Sequence, residues 1–280
     1  YLIVIGNFAG NARFHKRLIK MTKKLIAIIA AIPFLLTAWL TVNAQEEDAP
    51  PYVTPVDTFT CNYNDGKGPD DLKKAAADWN AWMDKQGTNN YGAVTMTPYY
   101  YGDDSFDVGW LGFWTDQEAM GEGIDSYLTK GTKQAEGFSK AVTCDTHEHW
   151  ATINVKKPKE GPPPDNFVLM FSNCTIGEDT EWKVLKAAID EAAAYMTEQN
   201  FGNGAWMMWR VFGGAGETDW DFKWVTSYDN YTDFGKAYQH NANGGGRQKM
   251  NEIMGDMLDC DSARVYNATT VRRISAGDGE

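Results

Sequence analysis

Three histidines after residue 44 are the side chains best suited to bind a metal ion or a cofactor. His147 and His149 are two residues apart in a segment with the pattern of a strand, so both imidazoles point to one face and Glu148 points to the other. Two imidazoles on one face can share a divalent metal ion, although no third ligand can be named. The alternative is a pair of ordinary surface histidines. His240 lies in a predicted helix, where the alternative to a cofactor contact is a solvated side chain.

A stretch of aromatic residues occurs twice in the chain. The segment FDVGWLGFW at 106–114 reappears as WDFKWVTSY at 220–228, which is 114 residues later. The cysteines repeat at similar offsets, since Cys61 corresponds to Cys174 and Cys144 corresponds to Cys260. This near-constant offset indicates an internal duplication of a whole domain.

The four cysteines predict two disulfide bonds. All of them follow residue 44, and an even number at matched places is typical of a protein in an oxidising compartment. Because each repeat holds two cysteines, the duplication favours one of the three pairings, Cys61 with Cys144 and Cys174 with Cys260. No CxxC motif is present, which argues against catalytic thiolates.

Hydrophobic periodicity predicts the element order βαββαβ in each repeat, with the first repeat at 55–155 and the second at 167–273. The Pro-rich segment 156–166 between them is a stiff linker. In the first repeat we expect strands at 57–63, 92–101, 106–114 and 146–155, with a helix at 69–86 and a helical stretch at 116–141 that is broken near Gly131. In the second repeat we expect the last helical stretch at 230–258, broken at 244–246, and the last strand at 262–271.

This element order resembles that of the dimeric α+β barrel superfamily, which includes antibiotic-biosynthesis-type monooxygenases, NIPSNAP-like proteins and the haem-binding chlorite dismutases. The resemblance covers nearly all of 55–273 and rests on element order and duplication. It implies an α+β fold in which two tandem ferredoxin-like repeats close into a pseudo-dimeric barrel, with the last strand of each repeat beside its first. It also implies that His240, on a helix of the second repeat, is placed to bind haem iron.

Alternation along the duplicated strand places its aromatic residues on one face, so we expect this face to line a cavity for a flat or apolar ligand. If the two sheets face each other across a barrel, Trp110 and Trp224 approach from opposite repeats. The alternative is that these rings only fill the core. The predicted ligand-binding residues are Trp110, Trp114, Trp224, Tyr228, Tyr100 and Trp209.

The start of the chain is typical of an exported protein. Met21 is followed by Lys23 and Lys24, an apolar run to residue 40 and small residues before Gln45, which together predict a signal peptide at 21–44. Residues 1–20 then precede the natural start as an upstream extension. We therefore expect a mature chain that begins at Gln45 and is periplasmic or secreted.

Charge limits the partners of this mature chain. Residues 1–44 hold six basic and no acidic side chains, so a net charge of −12 becomes −18 for residues 45–280. Such a field repels nucleic acid and anionic membrane surfaces, which leaves a small molecule or further copies of the chain as partners.

No phosphate loop, GxSxG elbow, HExxH helix or dinucleotide fingerprint occurs in the sequence. Two functions of different classes remain. The first is an exported, disulfide-bonded protein that binds a small apolar or aromatic ligand in an aromatic-lined barrel. The alternative is an oxygenase-like or haem-dependent enzyme of the barrel superfamily, with a haem or a divalent metal bound by His240 or by His147 and His149.

Overall fold

The structure is a computed structural model that describes residues 51–102, 106–214 and 216–274. The predicted signal peptide and the extension before it lie outside these residues. The described chain contains nine strands and six helices, which fall into two halves of the same design.

The first half is the first repeat. Two acidic side chains fix where its helices begin: the carboxylate of Asp71 accepts a hydrogen bond from the Gly68 N–H at 3.2 Å, and that of Asp116 accepts one from the Ala119 N–H at 2.8 Å. Its elements are β1 (Thr54–Tyr63), α1 (Pro69–Lys85), β2 (Tyr91–Tyr100), β3 (Val108–Trp114), α2 (Gln117–Lys130), α3 (Thr132–Ala141) and β4 (Val142–Lys156).

The second half repeats this order with one addition. Asn230 caps a helix as Asp116 does, with its side chain accepting from the Asp233 N–H at 2.9 Å. The predicted final helical stretch ends earlier than expected, and the short strand β8 follows it. The elements are β5 (Asn166–Ile176), α4 (Trp182–Glu198), β6 (Gly204–Gly213), β7 (Phe222–Tyr228), α5 (Tyr231–Asn243), α6 (Gly246–Met254), β8 (Leu258–Cys260) and β9 (Arg264–Arg272).

The strands form a closed antiparallel barrel. The first repeat has the strand order β4-β1-β3-β2, the second has β9-β5-β7-β6, and the pairs β2–β9 and β4–β6 join them. Eight strands close the barrel, while β8 pairs with the end of β5 and continues the line of β9. This arrangement confirms the predicted fold class of two tandem ferredoxin-like units in a pseudo-dimeric α+β barrel.

Both predicted disulfides are present. Cys61 is bonded to Cys144 between β1 and β4, and Cys174 is bonded to Cys260 between β5 and β8. The paired cysteines face each other in the strand register, because β1 is the neighbour of β4 and the end of β5 is the neighbour of β8.

The barrel interior and the outer faces of the sheet have separate cores. Side chains from both repeats, including Leu111, Trp150, Phe171 and Val225, fill the interior. The helices cover the outer faces and pack against the opposite set of alternating strand residues. Among the described helices, none is both long and apolar enough to cross a membrane.

The duplicated aromatic face does not point into the barrel interior, contrary to the prediction from the sequence. Trp110 and Trp224 belong to different clusters on the outer surface of the barrel, each against the helices of its own repeat. Their rings therefore do not approach each other across the barrel. The alternation also fails at the start, because the strands begin at Val108 and Phe222, and the preceding Trp220 packs on the interior cluster.

Candidate functional site

A cavity of about 440 Å³ lies in the first repeat, between the outer face of the sheet and the three helices. Each element of the repeat contributes to its wall, β1, β2, β3 and β4 from one side and α1, α2 and α3 from the other. Its lining is almost entirely apolar and includes Phe59, Leu72, Trp79, Met83, Tyr91, Val108, Trp110, Trp114, Tyr127, Leu128 and Phe138.

Edge-to-face aromatic contacts connect the sheet side of this cavity to its helix side. The ring of Trp110 on β3 meets that of Trp79 on α1 at 5.5 Å and that of Phe138 on α3 at 5.5 Å, both nearly perpendicular. The indole N–H of Trp110 donates to the hydroxyl of Tyr91 at 3.0 Å, which fixes the orientation of the ring. Such pairs are favourable at these distances and fix the position of the helices relative to the sheet.

A carboxylate forms the polar corner of the cavity. One oxygen of Asp57 accepts from the indole N–H of Trp114 at 3.3 Å, and the other lies 2.8 Å from Nδ1 of His149. Nε2 of His147 is 4.0 Å from that second oxygen, and its ring stacks on Phe59 with 3.9 Å between the centroids. His147 lines the cavity and its side chain is 60% exposed, so it stands at the opening.

The tyrosines of the cavity stay neutral. Burial raises the pKa of Tyr91, the hydrogen bond from the Trp110 indole opposes this rise in part, and the nearby carboxylate of Asp57 adds to it. Burial also raises the pKa of Tyr127 on α2. Both hydroxyls are therefore hydrogen-bonding groups rather than bases at neutral pH.

The same place in the second repeat is filled. The strand register pairs Val108 with Cys61 and Phe222 with Cys174, so these two residues are equivalent, and Phe222 is fully buried in a packed cluster with Leu185. The polar corner is also absent there. Met170, Ala263 and Val265 stand where the first repeat has Asp57, His147 and His149.

The structure brings together some of the predicted site residues and separates others. Trp110, Trp114 and His147 line the cavity, and His149 touches it through Asp57. Trp224 and Trp209 pack on the helical side of the second repeat, where Tyr228 is buried as well. Tyr100 is 55% exposed at the end of β2. The predicted binding residues therefore divide between one cavity, one filled core and the surface.

The cavity does not suit haem. Haem needs an axial ligand and is usually accompanied by cations for its propionates, but its lining includes no lysine or arginine and its one imidazole stands at the opening. His240 is not among the lining residues. Its Nε2 lies 2.9 Å from the hydroxyl of Tyr195, and its ring packs on Phe201 at 4.8 Å.

The histidine pair also falls short of a metal site. His147 and His149 do point to one face, as predicted, and both lie near Asp57. Within the described residues, however, no group of three or more histidine, cysteine or acidic side chains is arranged to hold a metal ion.

Comparison with known proteins supports the fold alone. No family model and no curated protein matches this chain. Among solved structures, a dye-decolorizing peroxidase from Bacteroides thetaiotaomicron is 9% identical, with a TM-score of 0.50 over 78% of this chain and 93% of that one. A chlorite dismutase from Candidatus Nitrospira defluvii is 8% identical (TM-score 0.46, 78% and 92% covered), and an anthrone oxidase-like protein is 11% identical (TM-score 0.47, 82% and 97% covered).

Sequence reasoning missed the residues that define the cavity. Asp57 was not singled out, although alternation along β1 places it on the same face as Phe59 and Cys61, where an acidic residue is unusual. Trp79 and Phe138 were not identified as site residues either. The signal that could have revealed the cavity is the difference in size between Val108 and its duplicate, Phe222.

Proposed function

We propose that this chain is an exported protein that binds a small apolar or aromatic ligand in the cavity of its first repeat. The observation that carries the proposal is the cavity itself, whose 440 Å³ lie within the range of small-molecule sites. Aromatic walls favour a flat ligand. Asp57 and His147 at the opening favour a ligand that carries one hydroxyl or amide group at its edge.

Export rests on the sequence and the disulfides. The segment Met21 to Ala44 has the composition of a signal peptide, and two disulfides indicate an oxidising, non-cytoplasmic compartment. We propose a periplasmic or secreted mature chain that begins at Gln45.

The experiment uses the size difference between the repeats. Isothermal titration calorimetry of mature protein with 2-naphthol measures binding, and Val108→Phe introduces into the cavity the side chain that fills the second repeat. We expect this variant to bind at least tenfold more weakly. Phe222→Val is the matched control, and its affinity for the first-repeat cavity should be unchanged. Equal binding by wild type and Val108→Phe would refute the proposed site.

A second candidate function is an oxygenase-like enzyme that acts on a bound aromatic compound. It is favoured by one observation, the imidazole of His147 beside the Asp57 carboxylate at the opening of an apolar cavity. There His147 could accept a proton from a bound phenol, and Asp57 could stabilise the imidazolium that forms.

Spectroscopy and oxygen uptake separate the two functions. The enzyme hypothesis predicts oxygen consumption with 2-naphthol that is lost in His147→Gln while binding persists. The haem version predicts a Soret band in protein purified from the periplasm. A colourless, metal-free protein that binds 2-naphthol without consuming oxygen supports the binding function.

A further inference from the structure

A lysine lies inside the barrel beside two stacked indole rings. Lys223 on β7 has its Nζ 4.5 Å from the ring centre of Trp220 and 5.5 Å from that of Trp150. The two indoles are stacked, with centroids 6.0 Å apart and planes inclined by 15°. Lys223 and Trp220 are both partly exposed, whereas Trp150 is fully buried, so Trp220 is the ring that a small molecule at this amine would contact.

This amine has no acidic partner at salt-bridge distance among the residues that the structure describes. Its hydrogen-bond acceptor is the side-chain oxygen of Asn173 at 2.7 Å. The charged groups around it are paired with one another: Arg210 with Glu148 at 3.3 Å, and Arg264 with Asp261 at 2.6 Å. The acidic neighbours are thus already neutralised by the two arginines.

The surroundings favour the neutral amine. Burial lowers the pKa of Lys223 to about 8, and the positive charges of Arg264 and Arg210 lower it while Glu148 and Asp261 act in the opposite direction. At pH 7.5 an amine with a pKa near 8 is about one-quarter neutral, whereas an ordinary lysine is about 0.1% neutral. The neutral form is the nucleophile in reactions with carbonyl groups.

The lysine occurs in only one of the two repeats. The register places Gly109 of β3 where β7 has Lys223, since Gly109 pairs with Met96 and Lys223 with Met208. The indole stack has a counterpart in the contact of Phe106 with Tyr266, at 5.8 Å and 10°. The stacked pair of aromatic rings is therefore duplicated, but only the pair in the second repeat has an amine beside it.

We propose that Lys223 is a covalent binding site for a flat aldehyde. The lone pair of the neutral amine attacks the carbonyl carbon, and a C–N bond forms as the carbonyl oxygen takes up a proton. Loss of that oxygen as water, with the two hydrogens supplied by the original amine, gives the imine, and nothing is oxidised or reduced. The partly exposed ring of Trp220 would hold the planar group. This site lies inside the barrel, so it is independent of the cavity proposed above.

The test uses folded mature protein, benzaldehyde and sodium cyanoborohydride, which reduces an imine to a stable secondary amine. Peptide mapping by mass spectrometry then compares the labelling rate of each lysine at pH 7.5. We expect Lys223 to be labelled at least tenfold faster than exposed Lys85 and Lys130, with a rate that rises with pH up to about 8. Trp220→Leu should reduce this preference at least threefold.

Two variants control for folding. Lys223→Arg keeps the positive charge and should lose only the fast-labelled site, with an unchanged circular dichroism spectrum. A labelling rate of Lys223 equal to or below that of the exposed lysines in the folded wild type would overturn the proposal. Labelling of Lys223 that is equally fast after denaturation in urea would also overturn it, because the folded structure would then contribute nothing to the rate.

Discussion

The two repeats have the same strand order and equivalent disulfides, yet the space between sheet and helices differs. In the first repeat, Val108 leaves a cavity with aromatic walls. In the second, Phe222 fills the equivalent space and is packed against Leu185 and Ile189 of α4. The larger side chain of Phe222, at the position of Val108, therefore accompanies a packed core in place of a cavity. A duplicated scaffold can keep one copy for stability while the other holds an opening.

The polar residues of the two repeats differ in the same way. Asp57 and its two histidines occur only on the outer face of the first repeat, and apolar residues replace them in the second. Lys223 occurs only on the inner face of the second repeat, where the first has Gly109. The chemically unusual residues are thus the ones that break the internal symmetry, while the symmetric ones hold the fold.

Removal of a disulfide should have the largest effect, and nearly the same effect in both repeats. The bonds close loops of 83 and 86 residues in sequence separation, for which chain entropy predicts a loss of about 4.5 kcal/mol each. Urea denaturation of Cys61→Ala/Cys144→Ala and of Cys174→Ala/Cys260→Ala measures both losses. Only the first pair lines the cavity, so only the first variant should also bind 2-naphthol more weakly. A loss of binding in the second variant alone would contradict the assignment.

Equivalent leucines on α1 and α4 should differ in their contribution to stability. Leu185→Ala removes a side chain that is 1% exposed in a filled core, and we expect a loss of about 3 to 4 kcal/mol. Leu72→Ala enlarges a cavity that is already there, so the loss should be about 1 to 2 kcal/mol. Thermal and urea unfolding of the two variants test this, and equal losses would indicate that the first repeat is packed as tightly as the second.

Exchange of the residues at positions 108 and 222 should affect the free energy of unfolding differently in the two repeats. Phe222→Val opens a void in the second repeat and should lower the free energy of unfolding by about 2 to 3 kcal/mol. Val108→Phe fills existing space and should change stability by less than about 1 kcal/mol. Calorimetric melting of both variants checks this. A strong destabilisation by Val108→Phe would mean that the first repeat cannot accommodate the ring.

The smallest expected effect is a pH dependence. Burial lowers the pKa of Lys223 to about 8, below its value in the unfolded chain, so the folded state binds fewer protons between about pH 8 and 10.5. The wild type should therefore gain stability relative to Lys223→Met as the pH rises through this window, by about 1 to 2 kcal/mol after allowance for partial exposure. Urea denaturation at pH 7.5, 8.5 and 9.5 measures the difference. Lys85→Met, on the exposed end of α1, should show no such trend.

Much of the architecture could be predicted from the sequence. The repeat offset, the two cysteines per repeat and the hydrophobic periodicity predicted the element order and both disulfide pairings correctly. The strand order followed from the resemblance to the dimeric α+β barrel superfamily. The boundary of the last helix was wrong. Pairing of β8 with β5 places Cys260 opposite Cys174, and this long-range constraint overrides the local helical pattern.

The position of the site could not be predicted in the same way. Alternation shows that Trp110 and Trp114 share a face, but both faces of a barrel strand are buried, one by the interior and one by helices. Trp110 and Trp114 do not line the barrel interior as predicted, because Leu111 and Phe113 on the opposite face of β3 occupy it. Whether packed aromatic rings leave a void depends on where the helices lie over the sheet. The alternation of residues along a strand does not predict those positions.

The central claim is that the first repeat holds a ligand cavity and the second does not. The most direct measurement is a crystal structure of the mature chain soaked with 4-iodophenol, because iodine gives an anomalous signal that locates the ring without interpretation of the protein density. We predict one strong iodine peak between β3 and α1, close to Trp110 and Trp79, with the phenol hydroxyl towards Asp57. A peak only in the barrel interior or beside Phe222, or none at saturating 4-iodophenol, would contradict the account.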